Sequence, residues 1–230
     1  IIWTTIVAYD KTKFPGEKPS KLADFFDVKK FPGMRGISKR PVVAIEFALM
    51  ADGVPPADVY KVLSTPEGLD RAFKKLDTIK ESLIFWEAGA QPPQMLADGE
   101  VIMTTAYNGR IFNAVVKENK PFEIIWDHHV YNTDNYAILK GTKHKATALE
   151  FLKFATSTQA LADQASWISY GPSRKSSVPL ISTYHGTDIK MAPHMPTAPQ
   201  NFKNALATDD GWWADHQDEI LKRYSAWMAK

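Results

Sequence analysis

Apolar residues fall in short blocks separated by polar, Pro- and Gly-rich stretches, and the spacing within each block predicts its element. Residues 1–9 are a nearly unbroken apolar run rich in Ile, Val and Trp, the pattern of a strand buried between neighbours. Residues 11–21 carry Pro15, Gly16 and Pro19 and predict a loop; residues 22–27 predict a short turn of helix that ends before Phe31-Pro32-Gly33. Pro41 opens a helix through Met50 that Asp52-Gly53 closes, although the same apolar run is compatible with a buried strand. Over residues 66–80, Leu69, Phe73, Leu76 and Ile79 recur at helical spacing, with Ser64 and Glu67 placed for a capping box. A strand over 81–86 follows, and then a short helix from Pro92-Pro93 to Asp98-Gly99. A buried strand over 101–106 runs directly into Tyr107-Asn108-Gly109-Arg110. Further strands are expected at 123–126 and 136–139. The helical pattern of 146–166 is divided by a capping box from Thr156 to Gln159, and Gly171-Pro172 breaks the chain. A last helix over 214–228 places Ile220, Tyr224 and Trp227 on one stripe. Strands alternating with helices imply an α/β fold with a mostly parallel sheet.

Charge and composition narrow the function more than the fold. Twenty-eight basic and 26 acidic residues are mixed along 230 positions for a net charge of +2, with no basic tract of the kind that nucleic acid requires. No apolar run approaches the ~20 residues of a membrane span. Without a cysteine there is no disulfide, thiolate nucleophile or Cys-type zinc site, and that absence is neutral on compartment. A strand this apolar at the very start, with no initiator Met or signal peptide, implies a chain that begins in mid-fold.

Asp98-Gly99-Glu100-Val101, a buried strand and then Tyr107-Asn108-Gly109 resemble the spermidine/putrescine-binding proteins, which carry an acidic-Gly-Glu-Val turn, a strand and Trp-Asn-Gly. Asp134-Asn135-Tyr136-Ala137-Ile138 resembles that family's Asp-Ser-Leu-Ala-Ile return strand. Residues 148–154 resemble its Ala-Leu-x-Phe-x-x-Phe helix, and Tyr170-Gly171-Pro172-Ser173 its Gly-Tyr-x-x-Pro turn. The resemblance implies a periplasmic-binding-protein-like (type II) fold, two α/β lobes with a ligand cleft between them. Residues 1–9 would be a crossing strand, 10–131 the second lobe, and 132–230 the return strand and C-terminal part of a first lobe whose N-terminal half is missing. It further implies a monomeric periplasmic component of an ABC importer, with a small amine or amino acid as ligand, an inner-membrane permease as partner and no cofactor.

Capturing a small amine requires a carboxylate for its ammonium, since a buried unpaired charge is heavily penalised, and aromatic faces for its methylenes. Asp134, after the polar loop Tyr131-Asn132-Thr133 and ahead of an apolar stretch, is the ammonium partner expected on these grounds, with Asn132 as a further ligand contact. As a bland alternative, Asp134 only caps a turn. Tyr107 and Tyr170 are expected as aromatic platforms or as core tyrosines. Arg110 departs from a polyamine site: a fixed cation repels an amine but pairs with a carboxylate. The stretch Ser38-Lys39-Arg40-Pro41-Val42-Val43 departs likewise, being basic and apolar where polyamine binders carry acids. Both favour an amino acid or ω-amino acid over spermidine; alternatively, Arg110 faces solvent or a structural partner.

Other residues carry less. His128 and His129 are adjacent and on a strand point to opposite faces, and no His or carboxylate set has metal spacing. Trp212-Trp213 suits a packed corner, and Glu46 stands out on an apolar helix. No phosphate loop, nucleophile elbow or triad spacing occurs. Two other classes stay open: an enzyme acting on a small amine on a related two-lobe scaffold, and a ligand sensor.

Overall fold

The computed structural model describes residues 1–230. Its elements in order are β1 (Ile2–Asp10), α1 (Leu22–Phe26), β2 (Arg35–Ser38), α2 (Ala44–Ala51), α3 (Val59–Leu63), α4 (Pro66–Asp77), β3 (Leu83–Trp86), α5 (Gln91–Ala97), β4 (Met103–Tyr107) and α6 (Asn108–Glu118). There follow β5 (Phe122–Thr133), α7 (Lys145–Ala155), α8 (Thr158–Gln164), β6 (Leu206–Ala207) and α9 (Asp210–Met228).

The six strands form one sheet in the order β3-β2-β4-β1-β5-β6. Pairs β2·β3, β2·β4 and β5·β6 are parallel, whereas β1 runs against both of its neighbours. A central strand covered on both faces needs apolar side chains on both, which is why β1 does not alternate. Val7 and Tyr9 enter the larger core, which α1, α2, α3, α4 and α9 cover, while Ile6 and Ala8 enter a second core beneath α5 and α6.

The apolar run after Pro41 resolves as a turn over residues 41–43 followed by helix, not as a strand. Helix α2 begins at Ala44 behind Val43, which holds φ at 74°, a costly conformation for a β-branched residue. Two cap predictions shift by one residue. Thr65, not Ser64, caps α4 by accepting the Gly68 amide, and Ser157, not Thr156, caps α8 by accepting that of Ala160. Ser64 bonds the Trp212 indole instead, at 2.9 Å.

One expected strand is absent. Residues 136–139 form no strand: no neighbouring strand offers them a ladder, and Tyr136 and Leu139 are exposed. Helix α9 packs on the core of α2 and α4 through Trp212, Trp213, Ile220, Tyr224 and Trp227. Five large side chains hold it there. By contrast α7 buries no residue, and Leu149, Phe151 and Phe154 extend the exposed apolar face begun by Tyr136 and Leu139.

Strand β5 is interrupted where it passes β1. Thr5 pairs with Val130 and Val7 with Ile125, so residues 126–129 bulge opposite Ile6. His128 takes φ 54° there and meets the Asp127 carboxylate at 3.0 Å. His129 turns inward: its Nε2 faces the Asn201 carbonyl at 3.1 Å and its Nδ1 the Thr4 hydroxyl at 2.6 Å. This is the pattern of a neutral ring donating from Nε2, and burial pulls its pKa down to about 4. Arg35 is fully buried with no carboxylate partner; its guanidinium donates to the carbonyls of Phe25 (3.1 Å), Gly33 (2.7 Å) and Phe31, tying the loop after α1 to β2.

Two outcomes follow for stability. Arg35→Met leaves three carbonyls without their donor and lowers unfolding free energy in urea by roughly 3 kcal/mol; a loss below about 1 kcal/mol would mean that the loop is closed by other contacts. For His129 the folded pKa of about 4 lies below the ordinary 6.5. The unfolded chain therefore binds the extra proton first, and stability falls as pH drops through that window. A His129→Gln variant, followed by thermal melts in parallel with the wild type, loses that part of the slope.

Candidate functional site

Strands β2, β3 and β4 run in parallel and end side by side, and the open ends of parallel strands are where α/β sheets present ligand sites. Beside them, antiparallel β1 begins. The register sets Trp3 opposite Asn132 and Thr5 opposite Tyr107. Since alternate residues share a face, Trp3 and Thr5, Thr105 and Tyr107, and Asn132 all open on one hollow, with a cavity volume of about 160 Å³. Ser38, Arg40, Val42, Val43 and Ala44 supply the facing wall, and Trp86 closes the end.

The aromatic residues hold one another edge to face. Tyr107 lies 5.1 Å from the Trp3 ring and 5.8 Å from the Trp86 ring, at interplanar angles of 81° and 82°. The Trp86 indole donates to Thr105 Oγ1 at 3.2 Å, and the Trp3 indole donates to Asp134 Oδ1 at 2.9 Å. Asp134 is further fixed by its amide, which donates to the Ile1 carbonyl at 3.0 Å. One aromatic ring therefore joins the tyrosine platform to the carboxylate: Trp3 packs on Tyr107 and bonds Asp134.

Tyr170 reaches the same place through the Asn-Gly pair. Buried Asn108 accepts the Thr4 amide at 3.1 Å and donates to the Ser169 carbonyl at 2.5 Å, stapling residue 169 to β1. Ile2 and Gly171 exchange two backbone bonds of 2.8 Å beside it. The glycines here serve the rings: a Cβ on Gly109 would stand 2.7 Å from the Tyr170 ring, and one on Gly89 would stand 2.5 Å from the Tyr107 ring. Burial, together with the charge of Asp134, raises the Tyr170 phenol above its ordinary range, while the Arg110 cation works against the shift.

Of the five residues singled out in the sequence, Tyr107 and Asn132 line the hollow. Asp134 lies outside that lining: it is exposed, accepts the Trp3 indole, and lines a separate hollow with Ile1, Asn135, Tyr136, Leu161 and Gln164; Tyr170 lies within electrostatic reach of Asp134, Arg110 and Tyr107. Arg110 is exposed on the first turn of α6, makes no ion pair or hydrogen bond, and borders the groove between α5 and α6, outside the lining. From the stretch Ser38 to Val43, Ser38, Arg40, Val42 and Val43 line the hollow, and Arg40 is the charged residue on its walls, with no ion-pair partner; Lys39 pairs with Glu87 instead. Trp3, Thr5, Trp86 and Thr105 escaped the sequence reading. Alternation along β1 and β4 was the available signal, and it needed the register to become a site.

A family model described as bacterial extracellular solute-binding protein matches residues 2–197. The chain is 43% identical over 229 residues to the gamma-aminobutyric acid-binding protein of Pseudomonas aeruginosa, and all of it spans 63% of that protein's length. Among solved structures, it is similar to an ABC transporter substrate-binding protein from Bradyrhizobium japonicum (TM-score 0.85, 34% identity, 99% of this chain and 68% of that one). It is also similar to a GABA receptor (TM-score 0.82, 35% identity, 100% of this chain and 67% of that one). With the family model matching most of its length, the chain belongs to the bacterial extracellular solute-binding proteins.

Proposed function

We propose that this chain forms most of the substrate-binding component of an ABC importer, working in the periplasm as a monomer, and that its ligand is an ω-amino acid of the γ-aminobutyrate type. The observation that carries the reading is the Trp3 indole, in contact with the Tyr107 ring and donating to Asp134. That arrangement sets an aromatic face for methylenes beside a carboxylate for an ammonium. Asp134 takes the ammonium, Tyr107 and Trp3 take the methylenes, Asn132 and Tyr170 supply polar contacts, and the unpaired guanidinium groups of Arg110 and Arg40 meet the carboxylate.

The balance of charge supports an amino acid over a polyamine. The walls of the hollow hold one cation, Arg40, and no carboxylate, and Arg110 adds a second cation beside Tyr170. A polyamine has at least two ammonium groups to place and would find Asp134 alone; an unmatched second charge is costly to desolvate. A relative 43% identical that is named for gamma-aminobutyric acid agrees with this balance. The solute-binding family speaks for capture and release, not for chemistry on the ligand.

In this reading residues 10–131 with β6 and α9 make up the second lobe, and residues 132–205 belong to the first lobe, whose other elements cover the exposed apolar face of Tyr136, Leu139 and α7. Closure of the two lobes buries the ligand, and the equilibrium shifts by the difference in affinity between the closed and open states. A membrane permease then receives the closed form.

Titration calorimetry on the full-length protein with γ-aminobutyrate, an α-amino acid and spermidine tests the assignment. We expect γ-aminobutyrate to bind and spermidine not to; the reverse order would restore a polyamine site. Asp134→Ala should cost about 2 kcal/mol or more of binding energy by stranding the ammonium, and Tyr107→Ala about 1–2 kcal/mol, with unliganded melting points near the wild-type value. Gly109→Ala should weaken binding by displacing the Tyr170 ring, and near-UV circular dichroism should register the displacement. Unchanged affinity in all three variants would remove the site.

A further inference from the structure

Glu46 is fully buried in the first turn of α2, one turn behind the wall residues Val42, Val43 and Ala44. Its Oε1 accepts the Trp213 indole of α9 at 2.8 Å and the Tyr60 hydroxyl of α3 at 3.1 Å, while Oε2 has no partner. A buried carboxyl with one bare oxygen suits the protonated form, since an ionised group would leave part of its charge unsolvated. Burial pushes its pKa up to about 7, offset in part by its own amide, the Trp213 and Tyr60 donors and the Val43 amide. Tyr60 is the titratable side chain that meets it, and burial holds that phenol un-ionised. From α9 comes Trp213, and the core of α1, α4 and β5 around α2 is apolar, with Phe25, Leu69, Phe73 and Val130. No neighbouring cation or carboxylate acts on Glu46.

One further contact and the course of the chain tie this region to the ligand wall. The buried Tyr224 hydroxyl of α9 donates to the carbonyl of Ser38, a wall residue, at 2.9 Å. The wall then turns into α2 through Val43 at φ 74°, a conformation that persists only where its surroundings hold it. The Ala44 amide, on the wall, makes no hydrogen bond within the chain.

We propose that Glu46 is a proton-operated positioning residue for the cleft: neutral, it joins α9 and α3 to the start of α2 and leaves the wall from Ser38 to Ala44 in its ligand-competent shape, and ionised, its bare Oε2 shifts the start of α2, and with it that wall, towards new donors. The inference rests on the reading that the hollow takes the ligand, but its first readout needs no ligand. Loss of the proton draws water or rearranged donors towards Oε2, and the strained turn at Val43 is the nearest backbone to give way. A negative charge behind the wall also disfavours an acid group in front of it.

The test uses the full-length protein between pH 5.5 and 8.5. In amide and indole proton–nitrogen NMR spectra of the unliganded wild type, we expect the Trp213 indole and the Val43 and Ala44 amides to shift together, with one midpoint near neutrality. Glu46→Gln should abolish that titration. Trp213→Phe, which removes a donor to the charged form, should move the midpoint of the two amides upward. Wall amides that stay still while the indole titrates, or that titrate equally in Glu46→Gln, would overturn the proposal. Calorimetry with γ-aminobutyrate adds the functional arm: coupling worth one pKa unit makes affinity about tenfold weaker above neutrality than below it, with a flat profile in Glu46→Gln. Parallel profiles in the two proteins would also overturn it. Should γ-aminobutyrate fail to bind at any pH while the wall amides titrate, the positioning role stands and the ligand assignment falls.

Discussion

The pairing of β1 with β4 on one side and β5 on the other is the constraint from which the site follows. Nine residues of one strand set two registers at once, and those registers bring Trp3 against Asn132 and Thr5 against Tyr107. A slip of one residue would turn Trp3 and Thr5 to the opposite face and exchange Ile6 and Ala8 with Val7 and Tyr9 between the two cores. Burial on both faces makes such a slip costly, so the same apolar side chains that stabilise the sheet also aim the aromatic ones at the hollow.

Charge is handled in opposite ways inside the sheet and at its open end. Inside, Arg35 is satisfied by carbonyls, His129 is neutral between a carbonyl and a hydroxyl, and Glu46 favours its neutral form. Towards the open end, Arg40 on the wall of the hollow has no ion-pair partner, Arg110 stays exposed beside the groove between α5 and α6, and Asp134 has only an indole. Groups without partners keep their capacity for a ligand, and a small zwitterion can satisfy both signs without leaving a desolvated charge behind.

The C-terminal helix changes how the cleft is understood. It lies far along the chain from the wall, yet Trp213 and Tyr224 support that wall from behind through Glu46 and Ser38. A site built on strand ends is only as precise as the groups that hold its supporting loops, and here the turn at Val43, with φ 74°, leads directly into α2, whose Glu46 bonds α9 and α3.

Much of this was legible in the chain itself. Local signals are self-contained, so the apolar run of β1, the periodicity of α4, the Pro and Gly breaks and the strand running into Tyr107-Asn108-Gly109 located most elements to within a few residues. The motif carrying Tyr107 and the carboxylate Asp134 were likewise visible as residue types in order, as was the basic and apolar character of residues 38–43. Cap positions were off by one because Ser, Thr and their neighbours compete for the same amides over a span of one residue. The strand expected at 136–139 failed because a strand exists only with a partner ladder. Trp3 as the link between platform and carboxylate, Trp86 as the end wall and α9 as the rear support were decided in three dimensions alone. Each depends on contacts between residues that sequence separates by many positions, and only strand register and helix packing bring them together.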